Sequence, residues 1–133
     1  MPLLIRTWHL ANGLKVEIFD HAVNYYADNS TIKLVICCDV EVKKEYLRSF
    51  ETHPHYGKIV KTLGDVAGYR REIVKTGVPA RHLSTMKRFL VEKFEENALT
   101  YFEREDFPER FACKRFGEIA GELAKKDHFR DGG

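Results

Sequence analysis

The chain has 133 residues, 44% hydrophobic and 32% charged, a size and balance that fit one globular domain and exclude a disordered, collagen-like or disulfide-stapled polypeptide. No apolar run approaches the roughly 18 residues of a membrane span, and the opening Met-Pro-Leu-Leu-Ile-Arg-Thr-Trp-His turns polar too soon for a signal peptide, so a cytoplasmic chain without a membrane partner is expected. The net charge of +2 hides a gradient: residues 56–93 hold 9 Lys/Arg against 3 Asp/Glu, and residues 94–111 hold 2 against 6, as solvated faces or an anion-binding surface would.

Leu3 to Leu10 is apolar and β-prone and runs into Ala11-Asn12-Gly13, where Asn-Gly signals a hairpin because both residues tolerate positive φ. The second strand alternates, with Leu14, Val16 and Ile18 on one face and Lys15, Glu17 and Phe19 on the other. After the polar stretch Asp20 to Ser30, a third strand over Thr31 to Val42 buries Ile32, Leu34, Ile36, Cys38, Val40 and Val42. Tyr56, Ile59, Val60 and Leu63 fit a short helix over 54–63 that ends at Gly64. Tyr69 to Lys75 has the period of a fourth strand, placed at an edge where Arg and Lys discourage further pairing. Pro79 suits a helix start, and Leu83, Met86, Leu90, Phe94, Ala98 and Tyr101 keep a helical repeat for more than twenty residues. Asp106-Phe107-Pro108 opens a last helix carrying Ala112, Phe116, Ile119, Ala120 and Leu123.

The order β-β-β-α-β-α-α predicts a two-layer α+β domain, an antiparallel sheet of about four strands covered by helices. One domain over residues 1–124 and a frayed tail over 125–133 are expected. The runs LANGLKVEIFDHAVNYYAD and LTYFEREDFPERFACKRFGE, with the strand and helix order between them, resemble a family of short bacterial proteins of unknown function. The resemblance implies a small bacterial cytoplasmic protein and carries no activity or site residue with it.

Several clusters could carry chemistry. Cys37 and Cys38 are adjacent and face opposite ways on a strand, Cys113 lies far along the chain, and no Cys-x-x-Cys or Cys-x-x-His spacing exists, so free thiols and no metal or other cofactor are expected. His53-Pro54-His55 could chelate only with a third ligand that nothing specifies, and surface histidines near a helix start are the plainer account. Gly-x-Ser-x-Gly and Gly-x-x-x-x-Gly-Lys-Ser/Thr are both missing, which removes the common hydrolase and nucleotide-binding classes.

Three functional readings remain. The first is a noncatalytic protein-interaction module that self-associates as a homodimer, with Phe19, Val35 and Cys37 on the outer sheet face as its candidate interface. Trp8, Phe19, Tyr25, Tyr26, Phe89, Phe102 and Phe111 exceed what one sheet face and one helix stripe need, and surplus aromatic surface often lies at interfaces. The second is a ligand-binding domain or enzyme using Asp20, His21, Asn24, Tyr25, Tyr26 and Asp28, where a histidine beside carboxylates could serve as a general base. Third comes nucleic-acid or other anion binding through the basic 58–93 segment, with Arg70, Arg71, Lys75, Lys87 and Arg88 as phosphate contacts. A sequence pI of 8.4 and the lack of a nucleic-acid motif make a nucleic-acid partner the least favoured of the three.

Overall fold

A computed structural model describes residues 2–21, 25–26 and 29–131. The fold is α+β, as the strand and helix pattern predicts. By their packing the residues form two compact units, Met1–Asp39 with Gly68–Glu105, and Val40–Ala67 with Asp106–Gly133.

The first unit is built on an antiparallel hairpin. Strand β1 (Leu3–His9) pairs with β2 (Lys15–Asp20), and Leu10 and Leu14 close a three-residue loop in which Gly13 takes φ +87°. A side chain disfavours that backbone, so the loop needs glycine there. Asn12 contributes more than turn propensity. Its Nδ2 donates to the carbonyl of Phe102 at 2.7 Å while its Oδ1 accepts from the N–H of Leu14, so one amide ties the hairpin loop to the chain ninety residues away.

Strand β2 pairs in turn with β4 (Asn29–Glu41), Ile18 opposite Ile36 and Phe19 opposite Val35. A two-residue strand β3 (Tyr25–Tyr26) pairs with Ser30 and Asn29, and β5 (Val66–Pro79) also pairs with β4. Neighbours therefore run β1-β2-β4-β3, with β1 at an end. Val16, Ile18, Ile32, Leu34, Ile36 and Cys38 are buried as their alternation requires. Helix α2 (Leu83–Asn97) and the short α3 (Leu99–Glu103) pack on this face, with the Phe94 ring 5.4 Å from Trp8 and 6.0 Å from Phe102.

The long helix expected from Leu83 to Tyr101 is broken. Ala98, at φ −114°, ends α2 and starts α3, so the apolar stripe shifts beyond it: Phe102 is buried and Tyr101 is exposed, while within α2 Val91 and Phe94 are buried and Leu90 is half-buried. A repeat extrapolated through such a break points the later side chains to the wrong side.

In the second unit, a 3₁₀ turn over Lys44–Phe50 leads to α1 (Tyr56–Leu63), which packs against α4 (Phe107–Asp131). Gly64 ends α1 at φ +76°, its N–H returning to the carbonyl of Val60. Phe50 stacks on Phe116 at 4.4 Å, with His53 edge-on to the same ring and Tyr56 beside it. Helix α4 runs to Asp131, past Lys125, where the sequence suggests that a frayed tail begins. Among the described residues, no helix is long and apolar enough to cross a membrane.

Candidate interaction edge

The loop reading divides once its residues are placed. Asp20, at the end of β2, binds the ammonium of Lys87 on α2 at 2.7 Å, with both side chains partly buried. His21 is half-buried, and its backbone N–H donates to the carbonyl of Lys33. Asn24 and Asp28 lie outside the described residues, as do the side chains of Tyr25 and Tyr26.

The five basic candidates do not form one surface. Arg70 and Arg71 are neighbours on a strand and so face opposite ways. Arg70 binds Glu72 at 2.8 Å, and with Lys33 it holds the Glu72 carboxyl below the usual range. Arg71 instead joins Ile73, Leu90 and Lys93 around a shallow cleft. Lys87 is engaged by Asp20, Lys75 is exposed on β5, and Arg88 stands on α2 beside β1. A single phosphate track through all five is not present.

The three outer-face candidates are covered to different degrees. Val35 is 2% exposed within the single chain, and Phe19 and Cys37 are half-buried, so this face does not offer the open apolar patch that alternation suggests. Part of the aromatic surplus is internal as well: Phe102 and Phe111 are buried, and Trp8 lies against Phe94 beneath the Arg6 guanidinium. Among the described side chains of that set, Phe89, 51% exposed, stands out, and it lines an apolar groove with His82, Thr85 and Met86.

The three cysteines are buried or half-buried, and His53 packs edge-on against Phe116. All three cysteines are free thiols. Burial pushes Cys38 up to about 11, with the Asp39 carboxylate adding to the shift. Cys37 and Cys113 are also raised by burial, the first partly offset by Arg70. Cys113 Sγ donates to the carbonyl of Tyr46 at 3.2 Å. His53 Nδ1 accepts from the backbone N–H of His55, and among the described residues no group of three His, Cys, Asp or Glu is arranged for a metal ion.

The most distinctive open feature is the strand at the end of the sheet. Among the described residues, β1 pairs with β2 alone, leaving its other edge unpaired. Its first three residues, Leu3, Leu4 and Ile5, are 64%, 46% and 36% exposed, and a register shift between Leu4 and Arg6 interrupts the ladder there. Soluble proteins usually protect such an edge with charge, proline or a covering segment, because free backbone groups beside aliphatic side chains invite another strand.

Helix α2 runs beside this edge. Ile5 and Arg6 share a cleft of about 230 Å³ with Ser84, Lys87, Arg88, Val91 and Glu92. Lys87 reaches back to Asp20, which stands opposite Leu3, and Glu95 takes Arg6 at 2.9 Å. Strand and helix therefore point the same way, and the helix stripe along the edge passes from basic Lys87 and Arg88 to acidic Glu92 and Glu95. Arg88 and Glu92 are both exposed, and neither makes an ion pair with a described residue.

Comparison with protein-family models, curated proteins and solved structures finds no match in any of the three. Sequence reasoning missed Leu3, Leu4, Ile5 and Glu92, although three consecutive aliphatic residues in a first strand are a visible signal. That they lie at an edge depends on strand order, which local pattern does not carry.

Proposed function

We propose that this chain is a noncatalytic protein-interaction module that self-associates, and that its working surface is the β1 edge. The observation that supports this reading is the exposure of Leu3, Leu4 and Ile5 on a strand with one unpaired side. Pairing with another strand would satisfy its free backbone groups and remove three aliphatic side chains from water at once. The loop around His21 is a weaker candidate because Asp20, its first carboxylate, is neutralised by Lys87. A nucleic-acid reading loses support from the dispersal of Arg70, Arg71 and Lys87 over different surfaces and partners.

Sedimentation velocity at micromolar concentration tests self-association. The expected species has about twice the 15.5 kDa mass of the chain. A species that stays at the single-chain mass across the accessible concentration range overturns the reading.

A further inference from the structure

Resting on that reading, we infer that a second copy of this chain adds to the β1 edge in antiparallel register about a two-fold axis. Arg88 of each copy then faces Glu92 of the other. The direction of charge along the edge sets this register. Because β1 and α2 run alongside each other in the same sense, reversing β1 across a two-fold axis also reverses α2. An axis perpendicular to the sheet extends the sheet through both copies and keeps both α2 helices on the same face.

The two helix stripes then lie antiparallel, and the basic end of each meets the acidic end of the other. Lys87 and Glu95 are already occupied by Asp20 and Arg6 within their own chain. Arg88 and Glu92 remain, one helical turn apart, exposed and without an ion pair among the described residues. Two-fold symmetry uses both of them twice, since an isologous contact that brings Arg88 to Glu92 must also bring Glu92 to Arg88. A parallel pairing of the same two edges needs an axis along the strands, which puts the two α2 helices on opposite faces where their charges cannot meet, so the cross-helix ion pairs belong to the antiparallel arrangement alone. Leu3, Leu4 and Ile5 lie along the joined strands, where the second copy covers them.

Charge reversal separates this geometry from self-association at large. Arg88→Glu and Glu92→Arg are each expected to weaken the dimer about tenfold or more, and the double variant to return within about threefold of the parent. Leu4→Lys is expected to leave a folded monomer, with folding checked by circular dichroism. In the unmodified chain, hydrogen exchange at the β1 amides is expected to slow as protein concentration rises. If the parent dimerises but the charge variants do not weaken it, the double variant does not recover, or β1 exchange is insensitive to concentration, this geometry is overturned and self-association stands. A parent that never leaves the single-chain mass overturns the underlying reading as well.

Discussion

The Lys87 ammonium lies 2.7 Å from a carboxylate oxygen of Asp20, across 67 residues of sequence and between the end of β2 and the second turn of α2. Each of these residues belongs to a different candidate cluster in the sequence, one to a ligand-binding loop and the other to an anion-binding surface. Paired, they neutralise each other and fix how α2 lies along the sheet. Lys87→Met or Asp20→Asn is expected to cost about 1 kcal/mol in urea unfolding, the scale of a partly buried ion pair rather than of a core defect. In a double-mutant cycle the two changes should be non-additive, and full additivity would mean that the pair contributes nothing.

Phe94 and Leu90 distinguish the two sides of α2. Phe94 is 4% exposed and touches Trp8 and Phe102, so Phe94→Ala is expected to cost roughly 3–5 kcal/mol. Leu90 is half-buried at the rim of a cleft and should lose about 1–2 kcal/mol on truncation to Ala, because neighbouring atoms and water can take up the space. Equal losses at the two positions would place the helix in a different register.

Asn12 offers a local test of long-range tethering. Asn12→Ala removes the bonds from its amide to Phe102 and from the Leu14 N–H, and about 1–2 kcal/mol of stability should go with them. Asn12→Asp keeps the acceptor for Leu14 but sets a negative oxygen against the Phe102 carbonyl. It should therefore be no better than alanine, a comparison that thermal denaturation can make.

Cys38 gives the fold a pH dependence of known sign. Its folded-state thiol titrates near 11, above its ordinary value of 9.0, so the native state holds the proton more tightly than the unfolded chain does. The stabilisation is complete below pH 9.0 and is lost as pH rises toward 11, a fall of about 2–3 kcal/mol over that window. Denaturation at a series of alkaline pH values should show a shallower fall for Cys38→Ala than for the parent. The baseline cost of that substitution does not enter, because the slopes are compared. Reaction of Cys38 with a thiol reagent at neutral pH should be slow until the protein unfolds.

Local pattern determined most of the secondary structure. Alternation in residues 14–19 and 31–41 placed two strands and their inner faces, because a face packed on the core takes every second residue, whereas Val42, past the end of the strand, is only half-buried. Gly64 and Pro108 marked helix ends through backbone preferences that act within a few residues. What failed locally failed for a physical reason: the break at Ala98 turned a correctly recognised stripe so that Phe102, and not Tyr101, went inside. The candidate site was far less legible. That Asp20 would meet Lys87, that Val35 would be covered within its own chain, and that β1 would end the sheet with Arg88 and Glu92 beside it are outcomes of strand order and helix placement. Those depend on contacts between residues dozens of positions apart, and an unpaired edge is a property of the assembled sheet that no single segment carries.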